Sequence, residues 1–187
     1  MSTLWIVIIV AVVLVIFVVS LYNKLVALKN NRENAFADID VQLKQRHDLI
    51  PQLVSAVKGY MEHEAGVLTR VTEARSRAMK ATSIDGKIAA EQELGSALQG
   101  LQIQVEAYPD LKANTNFLHL QEEISDVENK LASVRRYFNS ATKELNVAVQ
   151  SFPSNLIAGM FGFHTAAMFD VGTTERERLD KAPDIKF

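Results

Sequence analysis

The chain contains no cysteine, so disulfides, thiolate nucleophiles and cysteine-held zinc are excluded at the outset. Proline and glycine are scarce, at four and eight residues in 187, and aromatic side chains make up only 7%. A chain this poor in turn formers and rich in Ala, Leu, Gln, Glu and Lys favours helix over sheet. A strong charge of either sign is also missing: 20 basic residues face 22 acidic ones. No global basic field exists to hold nucleic acid.

Catalytic and ligand-binding motifs are absent too. None of the four histidines, His47, His63, His119 and His164, has a glutamate three residues before it, so the paired Glu-x-x-His signature of a di-iron bundle is missing. His63-Glu64 is followed by Ala65, Gly66 and Val67, so no His-Glu-x-x-His exists either, and Glu62-His63-Glu64 reads as a solvated face. Gly159 and Gly162 lie among Phe and Met rather than between a strand and a helix, and no serine stands in a nucleophile elbow. These absences point to a protein with no catalytic residue, cofactor or metal.

What is present begins with residues 4–21, LWIVIIVAVVLVIFVVSL, which hold no charge, no Gly and no Pro. Eighteen helical residues rise about 27 Å, close to the ~30 Å hydrocarbon thickness of a bilayer. In lipid the backbone must bond within its own segment, so this run forms a helix. Leu4, Trp5, Ile8, Val12, Ile16, Phe17, Leu21 and Tyr22 are the anchor residues, with the Trp5 and Tyr22 rings placed where amphipathic aromatics meet the interface. No Lys or Arg precedes the run and no small-x-small pattern follows it, which favours a retained anchor over a cleaved signal. Lys24, Lys29 and Arg32 come next, and the positive-inside rule then places the body in the cytoplasm.

Beyond the span the apolar pattern is helical. Phe36, Ile39, Leu43, Ile50, Leu53, Val57, Tyr60, Val67, Val71, Ala74 and Ala78 alternate steps of three and four, interrupted by Arg46 and Glu64. Pro51 lies inside this row and either kinks one long helix or starts a new one in its first turn. The unbroken phase favours the kink, and three passes would then leave the chain's later apolar segment far from the membrane. A buried Arg46 needs a partner and can fix register, but neither Asp48 nor Asp38 or Asp40 is well placed to serve.

KATSIDGK, residues 80–87, reads as a turn, followed by a helix over about 86–107 that ends at Tyr108-Pro109-Asp110. Asn114, Thr115 and Asn116 offer caps for the next helix. Its seam, Phe117, Leu120, Ile124, Val127, Leu131, Val134, Phe138 and Leu145, keeps 3-4 spacing over several heptads and predicts left-handed, bundle-like packing. Arg135-Arg136 on that helix are expected to be solvated or to pair with acids such as Glu128.

The expected fold is therefore all-α: a transmembrane helix (1–23) continuing into an antiparallel three- to four-helix coiled-coil-like bundle (24–152). An apolar contact segment (153–169) and a poorly ordered tail (170–187) follow. Helices of about 56, 22 and 36 residues cannot all pair along their lengths, so surplus apolar stripe suggests a homo-oligomer. Phe152, Pro153, Asn155, Leu156, Met160, Phe161 and Phe163 form the candidate interaction segment, read either as a cap over its own bundle or as an exposed contact with protein or membrane.

Three blocks, KNNRENAFADIDVQLKQRHDLIPQLVSAVKGYMEHE (29–64), AYPDLKANTNFLHLQEEISDVENKLASVRRYFN (107–139) and FPSNLIAGMFGF (152–163), occur in an order that resembles the LemA family. The resemblance covers residues 4 to about 169. It implies a bacterial membrane protein with a helical bundle body and no established activity or cofactor. It also implies an accessory or scaffold role in the cell envelope, often beside a membrane metalloprotease. The reading that follows is a self-associating scaffold in the bacterial inner membrane whose partners are the lipid bilayer, further copies of itself and a possible membrane protein. The alternative is a regulatory or signalling subunit of a membrane enzyme.

Overall fold

The computed structural model describes residues 2–61 and 64–169 and is helical throughout its regular elements. The tail expected over 170–187, and Glu62 and His63, lie outside the described residues. Six helices follow in order: α1 (Ser2–Lys58), α2 (Ala65–Lys80), α3 (Ile84–Val105), α4 (Pro109–Lys112), α5 (Thr115–Gln150) and α6 (Ser154–Phe161).

α1 carries the apolar span into the body without a break. Its 57 residues rise about 85 Å, and Pro51 lies inside it. The chain does reverse, but between α1 and α2 rather than at Pro51. Tyr60 and Met61 donate backbone hydrogen bonds back to the Val57 carbonyl, closing the helix end. α2 then returns along α1: the Arg75 Nε reaches the His47 carbonyl at 2.7 Å. The 56-residue helix expected from the apolar phase is thus two antiparallel helices. Each keeps its own stripe toward the shared core, so the phase continues while the direction changes.

Ser83 caps α3 by accepting from the Gly86 N–H at 3.1 Å, and Asn114 caps α5 by accepting from Phe117 N–H at 3.1 Å. α3 runs parallel to α1, with Lys87 meeting Asp40 and Glu91 meeting Arg46. α5 runs antiparallel to it, from Asn114 beside Tyr60 to Tyr137 beside Asn31. The passes α1, α2, α3 and α5 make a four-helix bundle, with α4 a short turn into α5.

The core has three storeys along α1. Farthest from the span, Ile50, Leu53, Val57, Met61, Val71, Leu94, Leu101 and Phe117 pack together. The middle storey holds Phe36, Ile39, Leu43, Ile88, Leu131 and Phe138. Nearest the span, Leu25 packs on Ile157 and Ala158 of α6. Along the α5 seam, Phe117, Val127, Leu131, Phe138 and Leu145 are buried, while Leu120, Ile124 and Val134 are half-buried.

Candidate functional site

Because the body makes four passes, the end of α5 returns to the span. The candidate segment therefore lies beside the base of the span and not at the far end, where a single kink at Pro51 would have left it. Residues 154–161, expected only as an apolar stretch, form a helix whose C-cap is Gly162 at φ 73°, in the left-handed region that glycine adopts without strain. Ile157 and Ala158 turn inward. Phe152, Leu156, Met160 and Phe161 remain exposed, as does Asn155, while Pro153 and Phe163 are half-buried. The Phe161 and Phe163 rings lie 4.8 and 5.9 Å from that of Tyr22.

Beyond Gly162 the chain turns back down the bundle as an extended segment, residues 163–169, clamped onto α5. Asn146 donates to the Ala166 carbonyl at 3.0 Å and accepts from its N–H at 2.8 Å. Asn139 does the same for Phe169, at 3.0 and 2.9 Å. Seven helical residues rise about 10.5 Å and three extended residues about 10 Å, so the two side-chain amides match the segment's repeat. Phe169 is buried against the Phe36 and Phe138 rings. Arg32 completes the latch. It donates to the Ala167 carbonyl at 3.1 Å, to Asp85 at 2.8 Å and to Thr142 at 3.3 Å, and lies over the Phe138 ring. As one of three cations after the span, Arg32 had only a topological meaning in the sequence.

A second polar cluster separates the distal and middle storeys. Arg46, only 2% exposed, pairs with the buried Glu91 of α3 and with Glu128 of α5 at 2.6 Å. Glu91 also meets His47 Nε2 at 2.7 Å. The partner is neither Asp38, Asp40 nor Asp48. It comes from another helix, which spacing along α1 cannot reveal. Burial, with the Arg46 and Arg75 cations beside it, holds the His47 imidazole down at about 4. Arg135 reaches Glu128 only at 3.9 Å, and burial lowers its own affinity for its proton. Above this cluster α3 and α5 flank a cleft of about 860 Å³, lined by Arg46, Glu91, Gln99, Gln121, Glu128 and Arg135.

Fold and site together define a membrane-associated helical protein: α1 is long and apolar enough to cross a bilayer, and the span's residues are left uncovered by the bundle. The LemA family profile matches residues 35–187, and the chain belongs to that family. It is 28% identical over 162 residues to Protein LemA of Metamycoplasma hominis, an alignment covering 84% of this chain and 73% of that one. It is also similar to the magnetosome protein MamQ of Magnetospirillum gryphiswaldense, 23% identical over an alignment covering 83% and 68%.

Proposed function

We propose that the chain is a non-enzymatic scaffold of the bacterial inner membrane, single-pass, with its bundle in the cytoplasm, and that it self-associates. The observation that carries the anchored-scaffold reading is α1: one uninterrupted helix serves as both membrane span and central bundle helix, so the body joins the bilayer without a hinge. The polar residues that do sit in the core pair with one another and fix the register of α1 against α3 and α5, which is a structural use of charge. Lys24, Lys29 and Arg32 beside the span support the cytoplasmic placement. Chemical crosslinking in native membranes, and particle size in mild detergent, test the reading. Discrete multiples of the chain are expected, and a monodisperse monomer under both conditions contradicts it.

The cleft between α3 and α5 favours a second reading, a regulatory subunit that seats a segment of a membrane enzyme such as a metalloprotease. Filling the cleft with Gln99→Trp and Gln121→Trp should then remove a co-purifying membrane partner while leaving the crosslinked multiples intact.

A further inference from the structure

α6 has two faces, and only one is covered. Ile157 and Ala158 pack on Leu25, while Leu156 and Met160, four residues apart, face outward at 60% and 74% exposure, and Phe152, in the turn just before α6, is 80% exposed. Between Glu144 and Asp170 the sequence contains no Asp, Glu, Lys or Arg, so α6 and the segments on either side of it contribute no ionised carboxylate, ammonium or guanidinium to this surface. Other exposed apolar residues on the bundle, such as Val41, Met79 and Ile103, stand apart on different helices and need no explanation.

Position supplies the rest. The storey that anchors α6 includes Leu21, the last residue of the apolar run, and the neighbouring Tyr22 ring touches both Phe161 and Phe163. The outward face therefore begins at the height where the uncovered surface of the span ends. An apolar patch continuous with a membrane-spanning surface, at the level of an interfacial tyrosine, has one natural occupant.

We infer that α6 is a second membrane contact, lying in the plane of the bilayer interface with Phe152, Leu156 and Met160 among the headgroups and upper acyl chains. The span alone leaves the bundle free to rotate and tilt about one helix. With α6 also seated, attachment is at two points, and the bundle stands in a defined orientation on the membrane. This rests on α1 spanning the bilayer and is independent of self-association.

The cysteine-free sequence makes the test direct. Full-length chains carrying L156C, M160C, V12C or V41C are labelled with a nitroxide and reconstituted in phosphatidylcholine–phosphatidylglycerol vesicles, and collision rates with oxygen and with an aqueous nickel chelate are measured. Labels at 156 and 160 should favour oxygen over nickel by several-fold, as at Val12, while Val41 favours nickel. Nickel-dominated collisions at 156 and 160 with Val12 still in lipid would overturn the inference and leave the span intact. Protection from both reagents would overturn it in favour of a protein contact, with spectral broadening that dilution into unlabelled chain removes marking a second copy. Nickel access at Val12 would remove the membrane reading and the inference together.

Discussion

Arg46 and His47 show how much of the body depends on charges kept out of water. A guanidinium at 2% exposure is tolerable only because Glu91 and Glu128 neutralise it. Arg46→Ala leaves the buried Glu91 carboxylate without its cation and should cost about 3–5 kcal/mol in chemical unfolding. Removing both charges with Arg46→Met and Glu91→Leu should recover most of that loss, since well-packed apolar groups often replace a buried pair without penalty. His47 gives the cluster a pH dependence. Its proton affinity falls from 6.5 to about 4 on folding, so the unfolded chain binds the proton first. The stability it contributes is complete above pH 6.5 and drains away as pH falls toward 4. A thermal melt series should show that decline, and His47→Gln should flatten it. Arg46 was visible in the sequence as a misfit on an apolar stripe. Its partners were not, because Glu91 lies 45 positions away and looks like any surface acid of a helix.

At the scale of elements, periodicity located the helices well and their reversals poorly. The α5 seam was legible because one face of a single helix repeats without interruption. The α1–α2 turn was not, because both helices feed the same core and the apolar phase passes through it. Of the row's two polar interruptions, Arg46 marks a buried pair, whereas Glu64 marks the end of the turn. Gly59 was the available signal, a poor helix former just after Lys58. Phe138 in the middle storey is fully buried, and Phe138→Ala should cost about 3–5 kcal/mol. The clamp of residues 163–169 left no sequence signature, since Asn139 and Asn146 are ordinary helix-surface residues until an extended strand lies beside them. Replacing both with Ala removes four hydrogen bonds worth about 1 kcal/mol each. Hydrogen exchange should then accelerate at Ala166 and Phe169, with helix content by circular dichroism unchanged.

For the whole molecule, the four-pass course changes the expected balance of lengths. Beyond Lys24, α1 offers about 52 Å of helix against about 54 Å for α5, so these two pair along their full course. The surplus stripe expected from helices of about 56, 22 and 36 residues disappears, and self-association must rest on surface contacts, not on unpaired length. α2 is shorter and covers only the distal part, and α3 covers the distal and middle parts. Near the bilayer their place is taken by α6 and residues 163–169. One course defines the molecule: a rod leaving the membrane, four passes, and α6 back at the rod's base. The cysteine-free chain allows two nitroxide pairs in vesicles, K24C with M160C and G59C with M160C. Gly59 has open space for a side chain and Lys24 is exposed. Pulsed dipolar distances should be under about 20 Å for the first pair and about 50 Å for the second, the rise of the chain from Lys24 to Gly59. A short 59–160 distance with a long 24–160 distance would put α6 at the far end of the bundle and rule this course out.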